Sequence, residues 1–142
     1  MNEGKMPFIG ATDSNNEITN FVSNTNASFD KNVFGVNYNG SVVENFYHPY
    51  ECIFSDDVKR ISFKDDEGQN KYCYLFLKQM ILKQKEKYRY AYKFNGDRMA
   101  RQKIMMPVDE ESRINYRAVE NYMKAKELEL VVNGILKHLT CS

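Results

Sequence analysis

The chain has 142 residues, 42% of them hydrophobic, and a formal net charge of +1. That length suits one domain, or one domain with an appendage, and supplies enough apolar material for a buried core. It leaves no room for a membrane span, since no apolar run approaches the ~20 residues a bilayer helix needs, and three widely spaced cysteines (Cys52, Cys73, Cys141) are no disulfide framework.

The opening MNEGKMPFIG lacks the apolar core of a signal peptide, so the sequence reads as a soluble, cytoplasmic protein. His48 lies four residues from Cys52 and His138 three from Cys141, but zinc sites want tight cysteine pairs, and there are none. The cysteines read as small buried hydrophobes, and no metal or cofactor is expected. Charge is uneven along the chain. Residues 78–103 hold nine Lys/Arg against Glu86 and Asp97, a net of +7, whereas residues 1–77 hold six basic and eleven acidic residues. A footprint for a polyanion, if present, is local.

In chain order, Met6–Ile9 reads as a short strand and Gly10–Glu17 (GATDSNNE) as turn chemistry. Ile18–Ser23 and Asn32–Val36 are candidate strands with a loop over Asn24–Asp30 between them. The NYNG sequence predicts a hairpin, because Asn-Gly suits the left-handed central residues of a type I′ turn. Ser41–Tyr47 should then pair back on Asn32–Tyr38. Glu51–Ser55 and Val58–Phe63 follow as strands, and Lys64–Asn70 as a loop.

Asn70 is placed to cap a helix running to about Lys85, with an apolar stripe through Tyr72, Leu75, Phe76, Met80 and Leu82. Gly96 should break the basic, aromatic stretch Lys87–Asn95, Gln102–Met106 reads as a strand ended by Pro107, and Asp109–Ser112 as a turn. A longer helix spans about Asn115–Leu139, capped by Asn115. Its apolar residues Val119, Met123, Leu128, Val131, Ile135 and Leu139 lie near one face, widened by Leu130, Val132 and Leu136. Such a stripe either covers its own core or seeks another helix.

Catalytic patterns are scarce. The chain carries no dinucleotide-binding or P-loop glycine motif and no nucleophile elbow. His48, in NFYHPY, has no interpretable nucleophile beside it and reads as structural. The acidic groups Asp56–Asp57 and Asp65–Glu67 read as solvated turns, with a metal-dependent nuclease as the alternative. The stretch KYRYAYKFNGDRMARQK is more suggestive, because Lys87, Tyr88, Arg89, Tyr90, Tyr92, Lys93, Arg98 and Arg101 mix phosphate-seeking cations with planar side chains. The plainer alternative is an ordinary strand whose basic face is merely wet.

Three stretches together carry a resemblance. KMPFIGATDSNNEITNFV resembles the opening "G-x-I-P-F-I-G-A-T-x-x-N-N-G-V" of target recognition domains in type I restriction–modification specificity subunits and in the fused type IIB/IIG enzymes. VENFYHPYECIFSDDVKRI resembles their middle, "G-x-x-F-Y-x-P-x-x-F-x-x-S-D-D-V". YKFNGDRMARQKIMMPVDEESRINYRAVENYM resembles their closing block, "I-x-L-P-V-x-x-x-G-x-x-D-[WY]-x-x-M-E-x-Y-I". The match runs in order over nearly the whole chain.

The resemblance implies an α+β (mixed α/β) domain with a curved, mostly antiparallel sheet, one packed helix and a long C-terminal spacer helix, the recognition domain taking residues 1–112 and the helix 113–142. It implies a non-catalytic reader of one half of a bipartite site in double-stranded DNA, docked to the methyltransferase (modification) subunit. By position the DNA-facing pieces are the Gly10–Asn16 loop, with Thr12, Asn15 and Asn16, and the Lys87–Arg101 segment. The long helix would be the spacer, pairing with a second recognition domain or a second copy.

The chain departs from the pattern in starting after the family's "W-x-x-x-x-L-x-D-L-F" segment, in carrying one recognition domain and one spacer helix, and in having Asn115–Tyr116 for Asp-Trp and Ser112 or a neighbour for the closing glycine. A fragment, an isolated domain and a half-subunit that dimerises through its helix all fit. Beside the DNA reader stand two rivals: an interaction module that binds the methyltransferase with little DNA affinity, and the small nuclease.

Overall fold

The computed structural model describes residues 3–39, 43–88 and 96–140. The chain divides between Met105 and Met106 into two compact units. The first contains strands β1 (Glu3–Ile9), β2 (Ile18–Val22), β3 (Val33–Asn37), β4 (Asn45–His48), β5 (Ile53–Phe54) and β6 (Val58–Ile61), then helices α1 (Lys71–Leu82) and α2 (Gly96–Arg101). The second carries α3 (Tyr116–Thr140).

The strands form two three-stranded sheets, ordered β2-β1-β5 and β4-β3-β6. β1 pairs antiparallel with β2 and parallel with β5, and β3 pairs antiparallel with both neighbours. The mixed α+β architecture with mainly antiparallel pairing is therefore as the sequence predicts, with the strands shared between two small sheets.

β3 (VFGVN) is buried along its whole length, which is why it reads as a continuous apolar run and not as an alternation. β4 returns antiparallel onto it, as the Asn-Gly signal predicts, but two residues out of the expected register: Val36 faces Asn45, whereas a two-residue turn at Asn39–Gly40 would set Val36 against Val43. Because side chains alternate with period two, the shift leaves each on its intended face. The chain closes through Asn37 N–H to Glu44 O (2.9 Å) and Val43 N–H to Asn37 O (3.1 Å). Residues 40–42, which include Gly40 of the expected turn, lie outside the described residues.

Asn70 caps α1 as expected, its side chain accepting from Tyr72 N–H and Cys73 N–H at 3.0 and 3.1 Å. The buried face is not the predicted one. Cys73, Tyr74, Leu77 and Ile81 are buried, and the predicted stripe of Tyr72, Leu75, Phe76, Met80 and Leu82 is only half-buried. The segment YCYLFL is apolar nearly all round, so periodicity alone leaves the helix's rotation about its axis undetermined. The helix ends at Leu82, three residues short of the expectation, and a short 3-10 turn follows over Lys85–Tyr88.

Tyr74 is the hub of the main core. It stacks on Phe34 and Tyr47 with centroids 5.9 and 5.1 Å apart, and Phe63 tilts against it at 5.5 Å. Val36, Val43, Leu77 and Ile81 complete that cluster, while Ile9, Val33, Cys52, Phe54 and Val58 form a second one. Burial pushes the Cys52 thiol up to about 12, so it is the inert hydrophobe expected.

Most of the stretch that Gly96 is expected to break lies outside the described residues, and one expectation after α1, the strand over 102–106, fails. Gly96 opens a helix, α2, with Asp97 in its first turn and Arg98 and Arg101 in its last, charges that suit the helix dipole. Six residues are too few to show a period. Residues 102–106 do not form a strand; Ile104 packs on the core instead, and no described neighbour supplies a ladder. β-propensity records a fit to a partner strand, and without the partner it counts for little.

In the second unit Asp109 organises the predicted turn, its carboxylate accepting from Glu111 N–H and Arg113 N–H, both at 2.9 Å. Ser112, standing where the closing motif has glycine, adopts φ 62°. Asn115 caps α3 through Ala118 N–H at 2.9 Å. Val119 is buried, but Leu128, Val131, Ile135 and Leu139 are all exposed.

Candidate nucleic-acid interface

The loop between β1 and β2 makes a conformational demand. Asn15, Asn16 and Glu17 take φ of 50°, 50° and 63°, three left-handed residues in succession. Asparagine tolerates that region better than most residues, but glutamate does not, and a non-glycine residue there costs roughly 1–2 kcal/mol. In the opening motif that this stretch resembles, the position of Glu17 is a glycine.

Local bonds shape the loop. Gly10 N–H donates to Glu17 O at 2.9 Å, Glu17 N–H to Ser14 O at 2.9 Å, and Asn15 Nδ2 to Ile18 O at 2.9 Å. Thr12 shares a 3.1 Å hydrogen bond with Ser14 Oγ, and its carbonyl accepts from the buried Asn37 Nδ2 at 3.0 Å. Asn15 and Asn16 are left exposed, and Thr12 is half-buried.

Beneath the exposed asparagines the Glu17 side chain turns inward and is completely buried, 3.2 Å from Nε2 of the equally buried His48. His48 Nδ1 lies 3.2 Å from Tyr50 Oη. Burial raises the Glu17 carboxyl to about 8, with Lys78 pulling down and Glu44 pushing up. Burial, then Lys78, lowers His48 to about 4. Both shifts favour an uncharged pair at neutral pH, with the Glu17 hydroxyl donating to Nε2 and Nδ1–H donating to Tyr50. Burying two neutral, bonded groups is far less costly than burying one bare charge. Gly35 makes the approach possible: a Cβ there would sit 3.0 Å from Glu17 Oε2 and 3.1 Å from His48 Nε2.

Beside Asn16 runs an open groove of about 400 Å³, walled by Phe46, Tyr47, Pro49 and Tyr50 on one side and by Lys71, Leu75 and Lys78 on the other. The three α1 residues are spaced i, i+4, i+7 and so share one helix face. Among the described residues no carboxylate lines the groove. The Lys78 ammonium sits 3.9 Å from the Phe46 ring centroid and donates to Asn45 O, which fixes its position. Burial lowers its pKa, with Glu44 and Glu17 opposing. A larger cleft of about 750 Å³ lies along β6, but it holds both signs: Asp30 and Asp56 line it with Lys31, Lys59 and Arg60, and Arg60 is bonded to Asp30 at 3.2 Å.

The chain matches the family described as type I restriction modification DNA specificity domain over residues 1–134. It belongs to that family. The specificity domain is 57% identical over 131 residues to the protein described as Type II restriction enzyme BgcI specificity subunit S.BcgI of Heyndrickxia coagulans, a match covering 92% of this chain and 38% of that protein. It is also similar to the crystal structure of the type I restriction–modification S subunit from M. genitalium, with 14% identity and a TM-score of 0.48 over 98% of this chain and 38% of that one.

The specificity domain thus brings Thr12, Asn15 and Asn16 into one loop. Arg98 and Arg101 stand elsewhere, on α2, whose Met99 packs near Leu77 and Ile81 at the far end of α1; neither lines the groove beside Asn16. Arg89, Tyr90 and Lys93, and the side chains of Lys87 and Tyr88, lie outside the described residues. Sequence reasoning missed Lys71 and Lys78, whose common face is recognisable only once α1's rotation is known. It read His48 as structural and left Glu17 unremarked. The contact spans 31 residues of chain, and the one signal available was a glutamate at a glycine position.

Asp57 of the proposed acidic nuclease cluster is bonded to Asn39 at 2.7 Å. Among the described residues no group of three or more His, Cys, Asp or Glu could hold a metal ion, and no helix is long and apolar enough to cross a membrane.

Proposed function

We propose that this specificity domain recognises a sequence in double-stranded DNA, acting as a non-catalytic reader of one half of a bipartite site. The observation that carries the reading is the exposed Asn15–Asn16 turn, whose Asn16 lines one groove with Lys71 and Lys78 and, among the described residues, with no carboxylate. Asparagine can make two hydrogen bonds to an adenine edge, and lysines neutralise phosphates without regard to sequence. The aromatic residues Phe46, Tyr47 and Tyr50 give the groove an apolar wall against which sugars and bases can pack. Arg98 and Arg101, with Lys87, Tyr88, Arg89, Tyr90 and Lys93, belong to a second basic stretch that extends the footprint.

The division of labour is between the strand-rich part of the chain and the long helix. Residues up to about 112 read DNA, and α3 serves as spacer, docking a methyltransferase subunit and a second recognition domain or a second copy. The exposed Leu128, Val131, Ile135 and Leu139 support that role, since a helix with such a stripe gains by burying it. The same stripe favours the interaction module as the second reading.

Fluorescence anisotropy with a random-sequence duplex over a range of salt separates the two. The reader binds with log K falling linearly in log[salt], and Lys71→Ala weakens binding to every duplex and flattens the slope by about 1. Salt-independent binding, or a slope unchanged by Lys71→Ala, contradicts the groove as the phosphate-contacting surface; absence of duplex binding favours the interaction module.

A further inference from the structure

We propose that Glu17 and His48 form a buried latch that holds the Asn15–Asn16 turn in its reading conformation, making them positioning residues for sequence selectivity although neither reaches the surface. The inference rests on the DNA reading only for what the turn reads; the latch itself is a matter of the fold.

Backbone in sparsely populated regions persists only where its surroundings over-determine it. Three consecutive left-handed residues in an exposed loop are such a case, and the third is not an asparagine but a glutamate. A glutamate at φ 63° is a poor choice for shaping a turn that glycine would shape more cheaply. Its side chain is the reason to have it there. Completely buried, it ties the last residue of the turn to His48 on β4, across from the Gly35 backbone that leaves it space. β4 is the strand whose Phe46 and Tyr47 wall the groove, and His48 continues through Nδ1 to Tyr50, another wall residue. The chain Glu17–His48–Tyr50 therefore connects the turn bearing Asn16 to another residue that lines the same groove. A latch of this kind fixes the distance between the groups that touch bases and those that touch the strand beside them.

Two substitutions separate latch from mere structure. Glu17→Gly relieves the left-handed backbone and so removes the strain, but it deletes the latch. Glu17→Gln keeps a donor for Nε2 and nearly the same shape. Amide exchange on the full chain reads the latch without DNA. In Glu17→Gly, the amides of Gly10 and of residue 17 should exchange about tenfold faster or more, while those of Phe34 and Val36 in β3 stay within about twofold; Glu17→Gln should match the wild type throughout. Unchanged loop exchange in Glu17→Gly, or acceleration in β3 as well, overturns the latch, as does a Glu17→Gln chain that behaves like Glu17→Gly.

Selection from a pool of duplexes with a randomised segment reads the consequence. Glu17→Gly should lose discrimination at one or more positions of the wild-type motif, by about tenfold or more per position, while its affinity for unselected duplex stays within about twofold; Glu17→Gln should keep the motif. A Glu17→Gly chain that enriches the wild-type motif overturns the positioning role. A wild-type chain that enriches nothing overturns the DNA reading instead, and the exchange result then decides the latch by itself.

Discussion

The Glu17–His48 pair has a pH signature whose sign follows from its two shifts. The Glu17 carboxyl is raised from 4.5 to about 8, so the stability linked to it is complete below pH 4.5 and is lost as pH rises through 8. His48 is lowered from 6.5 to about 4, so its share is complete above pH 6.5 and is lost as pH falls through 4. Between 4.5 and 6.5 the two slopes oppose each other. Above 6.5 only the Glu17 slope remains. The melting temperature of the wild type should therefore decline from pH 6.5 to 8, and Glu17→Gln should flatten that limb. Lys78, Glu44 and Tyr50 also face the pair. A decline that survives Glu17→Gln assigns the titration to another group.

At this scale the caps were legible and the latch was not. Asn70 and Asn115 cap helices a few residues downstream, so the residue and its partners share one window of sequence. Glu17 looks like any acidic residue in a polar turn, and its burial depends on a strand that arrives 31 residues later.

Among elements, α3 and the strands of the two sheets were found, and the misplaced features are those that only a neighbour decides. α3 needs only its own period and cap. The supposed strand over 102–106 needed a partner, and the buried face of α1 needed the sheet beneath it. The turn before α3 shows the converse: the closing motif that this chain resembles carries glycine, and Ser112 keeps the left-handed conformation without it. Ser112→Gly should accordingly stabilise the protein by about 0.5–1 kcal/mol in denaturant titration, since it removes the Cβ penalty and keeps the Ser112 N–H to Asp109 O bond at 3.1 Å. A loss of stability would mean the hydroxyl does more than the turn geometry indicates.

The exposed stripe on α3 makes its own forecast. Leu128, Val131, Ile135 and Leu139 recur at intervals of three and four, the spacing of a helix that packs on another helix. Ile135→Ser on the full chain should leave helicity by circular dichroism nearly unchanged and reduce self-association, or capture of the methyltransferase subunit, in sedimentation velocity. If Ile135→Ser alters neither, the stripe is not the docking face.

Across the whole molecule, a net charge of +1 conceals a segregation that suits a polyanion ligand: nine of the chain's twenty Lys/Arg fall in residues 78–103. The structure adds Lys71 to the start of that series and places it with Lys78, the first residue of the stretch, in one groove with Asn16. The ordered motifs located the turn and the long helix. They did not locate the groove, because its two walls come from β4 and α1 and join only when α1 settles by Tyr74, Leu77 and Ile81 onto the sheet.

The claim that the turn reads sequence is tested most directly by selection from randomised duplexes with the full chain, comparing wild type with Asn15→Ala and Asn16→Ala. The wild type should enrich one motif, with discrimination at one or two adjacent positions falling by about 1–3 kcal/mol in the variants and the affinity for unselected duplex unchanged. The same motif enriched equally by all three chains would contradict it.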